Sequence, residues 1–122
     1  MKNMQMPQQV INIGSPDLFN QLVNEFRNNL FVIDIYADWC GPCKSFKPVF
    51  EDVQSEYHSR GVIFLKVNID DHRDIAQQFR VMSVPTTLFI YNKKIIHSQP
   101  GALSKGGLRN LINQMLQKVK NR

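Results

Sequence analysis

Residues 36–48 read YADWCGPCKSFKP, and this stretch holds Cys40 and Cys43, the two cysteines of the 122-residue chain. A disulfide between them closes so short a loop that it stabilises a fold by roughly 2 kcal/mol, against about 4.7 kcal/mol for a 100-residue loop. The pair is therefore a poor structural cross-link. A structural zinc site usually takes four ligands, and the chain has no second cysteine pair and no histidines at zinc-binding spacing. The sequence predicts a redox pair and no metal.

The residues between the cysteines favour disulfide exchange at the start of a helix. If a helix begins near Cys40, the free N–H groups of its first turn and the positive end of its dipole stabilise a thiolate there, and the thiolate is the attacking species. Cys43 returns to nearly the same face, one turn deeper. Gly41 leaves the approach open, and Pro42 fixes φ at the helix entry. This spacing predicts an exposed nucleophile, Cys40, beside a sheltered resolving thiol, Cys43.

One acidic residue, Asp34, interrupts the apolar run LFVIDIYA at residues 30–37. Such a run is typical of a central strand covered on both faces, where a carboxylate is costly unless it is paired or its pKa rises. An aspartate bonded to backbone at a strand end is a purely structural alternative. We favour a general base with a raised pKa that takes the proton from Cys43, with Lys66 on a neighbouring strand as the modulating cation.

Apolar periodicity along the chain predicts alternating strands and helices. The predicted strands are residues 10–13, 30–37, 62–68, 86–91 and 95–99; the predicted helices are 16–27, the segment from the CGPC turn to about residue 60, 70–79, and the segment that follows Ser104. Alternating units of this kind build a central sheet with helices on both faces. We therefore predict an α/β domain over residues 10–122, preceded by a flexible N-terminal tail over residues 1–9.

Composition and charge narrow the classes of function. With 43% hydrophobic residues the chain can bury a single core. Its formal charge is +5, but the basic residues are scattered, so we expect a solvated surface and no specific nucleic-acid binding. No GxGxxG or Walker motif occurs, so we expect no bound nucleotide cofactor, and electrons must come from another molecule. We expect the histidines to lie on the surface: His58, His72 and His97.

The N-terminal stretch MKNMQMPQQ has neither the apolar run of a signal peptide nor the Arg-rich character of a transit peptide. No stretch approaches the roughly 20 apolar residues that a membrane span needs. We therefore expect a cytoplasmic protein with no membrane association. A mature organellar form would have the same features and stays an alternative.

Several motifs of the chain resemble the thioredoxin family, from about residue 10 to the C-terminus. They are VIDIYADWCGPCK (32–44), Pro48, KVNID (66–70), VPT (84–86) and GALSKGGL (101–108). The hexapeptide WCGPCK is highly specific, whereas a bare CxxC is a weak signal. The resemblance implies the thioredoxin fold, a mixed sheet of four or five strands with four helices. It also implies a protein-disulfide reductase in which Cys40 forms a mixed disulfide with a client and Cys43 releases it.

The resemblance further implies which residues contact a client. Trp39 would flank the disulfide, Val84 would offer backbone groups for strand-like pairing, and Pro85 would follow a cis peptide bond beside the sulfurs. The remaining members of this surface would be Gly41, Pro42, Gly101 and Ala102. The chain departs from the family at Tyr36, where many members have Trp or Phe. The family also varies around Met82 and Ser83.

The family also implies partners, namely a thioredoxin reductase supplied by NADPH and client proteins that contain disulfides, and we expect a monomer. A glutathione- or ferredoxin-linked donor is an alternative. Two other functions stay open: a disulfide isomerase or oxidase on the same fold, and a thioredoxin-like module that docks partners without turnover. Gly-Pro between the cysteines goes with reductases, whereas isomerases usually carry Gly-His. The retained Cys40, Cys43, Asp34, Lys66 and Pro85 favour catalysis.

Overall fold

A computed structural model of the chain describes residues 4–120, which form five strands and four α-helices. In chain order these are β1 Ile11–Asn12, α1 Pro16–Glu25, β2 Phe31–Tyr36, α2 Gly41–Tyr57, β3 Ile63–Asn68, α3 Arg73–Gln78, β4 Thr86–Tyr91, β5 Lys94–Pro100 and α4 Lys105–Lys120. A 3₁₀ turn, His58–Arg60, extends α2. The predicted order of strands and helices is confirmed.

The strands form one mixed sheet in the order β1-β3-β2-β4-β5. Strands β1 and β2 run parallel to β3, whereas β4 is antiparallel to both β2 and β5. The predicted central sheet with helices on both faces is confirmed. No helix in residues 4–120 combines the length and apolarity that crossing a bilayer requires.

Side chains of β2 alternate between two hydrophobic clusters, as the period of two along a strand requires. Phe31, Ile33 and Ile35 pack in the cluster that contains residues of α1 and α3. Val32 packs in the other cluster, with residues of α2 and α4. Asp34 shares the parity of Val32, so its side chain lies on the face of the sheet that α2 and α4 cover.

The predicted helix starts are confirmed by their caps. The Ser15 hydroxyl accepts a hydrogen bond from the Leu18 N–H at 3.1 Å, and Pro16 is the first residue of α1. The Ser104 hydroxyl accepts from the Gly107 N–H at 3.0 Å, one turn into α4. Each cap satisfies an N–H group that has no partner within its helix.

Two ion pairs join α2 to α4 on the protein surface. Lys105 Nζ lies 2.8 Å from Asp52 Oδ2. Arg109 makes a two-pronged contact with Glu56, at 2.7 Å and 2.8 Å. Since the acidic residues lie four apart on α2 and the basic residues four apart on α4, the two pairs are stacked along the helix contact.

Helix α3 begins at Arg73, later than the predicted residue 70. Asn68 accounts for the delay, because its side-chain oxygen accepts from the Asp70 N–H at 2.9 Å. Its backbone carbonyl accepts from the N–H groups of Asp71 and His72. These bonds hold residues 68–72 as a turn before the helix starts.

The prediction that all three histidines lie on the surface was wrong for His72, which is 9% exposed. Its Nε2 lies 3.1 Å from the carbonyl oxygen of Ile13, just after β1. That partner is 59 residues away in the sequence, so no local pattern announces it. His58 and His97 are half-buried.

Residues 4–9 contain no helix or strand, but three of them contact the folded domain. Met4 and Met6 pack against the cluster that contains residues of α1 and α3. The Gln8 carbonyl accepts a hydrogen bond from the Gln54 side-chain amide at 3.0 Å. The predicted tail also includes residues 1–3, which lie outside the described residues, and its flexibility and the boundary at residue 10 stay predictions.

Candidate active site

Cys40 and Cys43 form a disulfide at the N-terminus of α2, just beyond the C-terminal end of β2. Cys40 is the N-cap residue, and its Sγ accepts a hydrogen bond from the Cys43 N–H at 3.2 Å. Both cysteines are 5% exposed, so the prediction that Cys40 is exposed was wrong, and exposure does not distinguish the two. The helix amide does, because it points at the sulfur of Cys40 and would stabilise a thiolate there.

The two residues between the cysteines are open to solvent. Gly41 and Pro42 are exposed, and a Cβ added at Gly41 would meet nothing within 4 Å. Pro42 occupies the first turn of α2, as predicted. The space over Gly41 at this turn is therefore open.

The segment before β4, which contains Val84 and Pro85, lies beside the disulfide. The Val84–Pro85 peptide bond is cis, as the resemblance implied. Cys40 Sγ lies 3.7 Å from the Val84 carbonyl oxygen, and Pro85 is buried. The Gly101 N–H donates to the Pro85 carbonyl at 2.8 Å, which brings Gly101 and the exposed Ala102 to the same side of the molecule.

Large apolar side chains are exposed beside these loops. In residues 4–120, the large hydrophobic side chains with the greatest exposure are Met82 (93%) and Trp39 (69%). Ile95, at the start of β5, is 38% exposed. Trp39 directly precedes Cys40, and Met82 lies two residues before Val84. The Trp39 indole N–H donates to Asp70 Oδ2 at 3.0 Å. Asp70 was not among the predicted site residues, although its place just after β3, at the same end of the sheet as the CGPC turn, was a signal.

Asp34 is 1% exposed and lies deep in the sheet. Burial raises the pKa of its carboxyl group from 3.8 to about 7, and the positive charge of Lys66 opposes part of this rise. In the part of the chain that the structure describes, neither carboxyl oxygen has a hydrogen-bond partner. The alternative of a backbone-bonded strand-end aspartate therefore has no support among these residues.

Lys66 lies directly across from Asp34 in the β2–β3 register, as the sequence suggested. Its ammonium lies 4.5 Å from the centre of the Tyr36 ring, within the range of a cation–π contact. Tyr36 thus holds the modulating cation at the end of β2. The sequence singled out Tyr36 only as a departure from the family, because a contact between residues 30 apart depends on strand register.

A cavity of about 370 Å³ opens beside Cys43 and separates α2 from the ends of β2 and β3. Tyr36 and Lys66 line one wall, and Lys44, Lys47 and Glu51 of α2 line the other. None of the predicted client-binding residues lines it. Among residues 4–120, no three His, Cys, Asp or Glu side chains are grouped to hold a metal ion.

The thioredoxin family model matches residues 10–114. The chain belongs to the thioredoxin family. A thioredoxin of Haemophilus influenzae is 38% identical over 106 residues, which cover 87% of this chain and 96% of that protein. A peptide-N(4)-(N-acetyl-beta-glucosaminyl)asparagine amidase of Caenorhabditis elegans is 40% identical over 94 residues, but the chain spans only 15% of its length.

Solved thioredoxin structures superpose on nearly the whole chain. The thioredoxin of Malassezia sympodialis is 34% identical with a TM-score of 0.79, covering 93% of this chain and 96% of that one. The thioredoxin NaTrxh of Nicotiana alata is 32% identical with a TM-score of 0.80, covering 93% and 97%. The predicted thioredoxin fold is confirmed. Family membership and the Cys40–Cys43 disulfide make the chain a thiol-disulfide oxidoreductase.

Proposed function

We propose that this thioredoxin-family protein is a general protein-disulfide reductase in which Cys40 attacks the client and Cys43 resolves the intermediate. The observation that carries the proposal is the hydrogen bond from the Cys43 N–H to Cys40 Sγ, 3.2 Å long, at the helix N-terminus. Once the disulfide is reduced, the same amide favours the thiolate on Cys40 over that on Cys43.

In the first step the Cys40 thiolate attacks one sulfur of a client disulfide. An S–S bond forms between Cys40 and the client, the client disulfide breaks, and the second client sulfur leaves as a thiolate that takes a proton from water. The Val84 carbonyl, 3.7 Å from Cys40 Sγ, supports this geometry because it can accept a backbone N–H of an extended client segment. Trp39, Gly41, Pro42, Pro85, Gly101 and Ala102 would form the surrounding contact surface.

In the second step Asp34 takes the proton of Cys43, and the new thiolate attacks Cys40 Sγ. The mixed disulfide breaks, and the client sulfur leaves as a thiolate that takes a proton from water, so the client departs as a dithiol. Asp34 returns its proton to water, and the Cys40–Cys43 disulfide holds the two oxidising equivalents. A base works best when its pKa lies near the working pH, and burial raises the pKa of Asp34 to about 7. Lys66 would limit the rise and so keep part of the carboxyl population ionised.

Two electrons must then return to the disulfide from a separate protein. We propose a thioredoxin reductase supplied by NADPH as this donor, and a glutathione- or ferredoxin-linked donor as the alternative. The proposed clients are proteins with accessible disulfides. We further propose that the protein acts as a cytoplasmic monomer in cellular redox homeostasis and electron transfer.

Reduction of insulin with dithiothreitol as the electron donor tests the proposal. We expect fast turnover that Cys40→Ser abolishes, together with a strongly reducing potential of the Cys40–Cys43 pair. Cys43→Ser should trap clients covalently on Cys40, and Cys40→Ser should trap none. Trapping on Cys43 in the Cys40→Ser protein would reverse the two roles. An oxidising potential would favour a disulfide oxidase or isomerase, and absent turnover would favour a docking module.

A further inference from the structure

Three buried side-chain atoms in residues 4–120 have no hydrogen-bond partner, and all three lie in one pair of residues. They are both carboxyl oxygens of Asp34 and the hydroxyl oxygen of Thr87. Asp34 is 1% exposed and Thr87 is completely buried. Since the large majority of buried side-chain polar atoms in proteins are hydrogen-bonded, three exceptions at one place call for a common explanation.

Asp34 and Thr87 are directly opposite each other on the antiparallel strands β2 and β4. Val32 lies two residues before Asp34, and Phe89 lies two residues after Thr87. Because Val32 and Phe89 belong to the same hydrophobic cluster, the side chains of Asp34 and Thr87 lie on one face of the sheet. Opposite residues of an antiparallel pair have Cβ atoms about 4.5–5.5 Å apart. The Thr87 hydroxyl can therefore reach the carboxyl group directly after a rotation about χ1, or through one bridging water molecule.

We propose that Thr87 is a positioning residue for Asp34, whose carboxyl group it binds through its hydroxyl, directly or through one water. The inference deepens the proposed function, since it rests on Asp34 acting as the base for Cys43. Thr87 was not among the predicted site residues. Its signal in the sequence was a second threonine in VPTTLFI, where a buried strand would ordinarily carry an apolar side chain.

A hydroxyl suits a neighbour that changes its protonation state in every turnover. It donates a hydrogen bond to the ionised carboxylate and accepts one from the protonated acid, so neither state leaves the buried carboxyl group without a partner. The bond to the ionised form is charge-assisted and roughly twice as strong as the neutral one. Thr87 therefore favours the ionised form and acts in the same direction as Lys66, against the effect of burial.

Other ionisable groups around Asp34 must be distinguished from Thr87. Lys66 on β3 lowers the pKa of Asp34, Tyr36 follows it on its own strand, and Asp38 lies two residues after the end of that strand. Helix α2 contributes Cys40 and Cys43, which do not titrate while they form the disulfide. Around the cavity, α2 also contributes Lys44, Lys47 and Glu51, and β4 has only Tyr91 at its far end.

The test is a titration of the Asp34 carboxyl carbon by NMR in the oxidised protein, comparing Thr87→Val with Thr87→Ser. Valine keeps the shape of threonine and removes the hydroxyl, whereas serine keeps the hydroxyl. We expect Thr87→Val to move the Asp34 midpoint upward by roughly half a unit to one unit. Thr87→Ser should move it by less than about a third of that. Lys66→Gln is the positive control, because loss of its charge must also move the midpoint upward.

An unchanged or lowered midpoint in Thr87→Val would overturn the inference, as would equal shifts in the valine and serine variants. Unfolding by urea at a pH above the Asp34 midpoint gives a second readout. If the hydroxyl binds the carboxylate, Thr87→Val unfolds more easily; if the hydroxyl has no partner, valine is more stable. Because no turnover is measured, these results do not depend on whether the protein reduces disulfides.

Discussion

Replacing Asp34 with asparagine should make the protein more stable at neutral and higher pH, by an amount that grows between about pH 4 and pH 7 and is constant above that range. The carboxyl group titrates near 3.8 when the chain is unfolded and at about 7 when it is folded. Between these values the folded state binds a proton that the unfolded state has lost, so stability falls as the pH rises. Asparagine has a similar shape and never ionises.

The size of the effect follows from the separation of the two pKa values. They differ by about three units, and each unit corresponds to about 1.4 kcal/mol, which gives a penalty of roughly 4 kcal/mol. Below about pH 4 both states are protonated and the penalty is absent; above about pH 7 it is complete. Wild type and Asp34→Asn should therefore have similar stability at low pH, and the variant should be more stable by a few kcal/mol when Asp34 is ionised.

Urea unfolding of the oxidised proteins across this pH range measures the difference directly. The oxidised form is the right one, because its cysteines do not titrate. The same substitution at the exposed Asp71 controls for the loss of one negative charge. Wild-type and Asp34→Asn curves that stay parallel from acid to neutral pH would refute the argument, as would a variant that loses stability as the pH rises.

Three further predictions concern other parts of the molecule. Gly61 has φ +80, so Gly61→Ala should reduce the free energy of unfolding by roughly 1–2 kcal/mol in urea. Gly14→Ala is the control: its added Cβ meets nothing within 4 Å, so it should change the free energy of unfolding little. Arg109→Met removes the exposed pair with Glu56, and its small loss of thermal stability should shrink in about 1 M salt. Trp39→Ala removes exposed apolar surface beside Cys40, so it should raise KM for insulin and leave the reduction potential unchanged.

The elements of the fold could be predicted from sequence because their signals are local. Strand β4 has the predicted bounds, residues 86–91. Asn92 and Lys93 form the turn between β4 and β5, and both have positive φ, as a two-residue type I′ hairpin turn requires. The start of α3 differed because the Asn68 side chain bonds a backbone N–H two residues on, and hydrophobic periodicity does not report such a bond.

The residues of the candidate site also differ in whether a local sequence signal points to them. The cysteine pair and the buried acid follow from one motif and one interrupted strand, so Cys40, Cys43 and Asp34 could be predicted as candidate site residues from the sequence. The neighbours of Asp34 depend on strand register. Lys66 could be proposed from the adjacent strand, but the pairing of Thr87 with Asp34 and the contact between Lys66 and Tyr36 could not. His72 was misplaced for a similar reason, because its partner, the Ile13 carbonyl just after β1, is 59 residues away in the sequence.

The contacts of residues 4–8 matter for anyone who shortens or tags this chain. The family match begins at residue 10, which makes that position an inviting start for a shorter version. A chain that starts there would lack Met4 and Met6, which pack against the apolar cluster that contains residues of α1 and α3. It would also remove the Gln8 carbonyl that accepts a hydrogen bond from the Gln54 side-chain amide. A chain that starts at residue 10 would therefore contain the whole family match but would lack the contacts that residues 4–8 make with the domain.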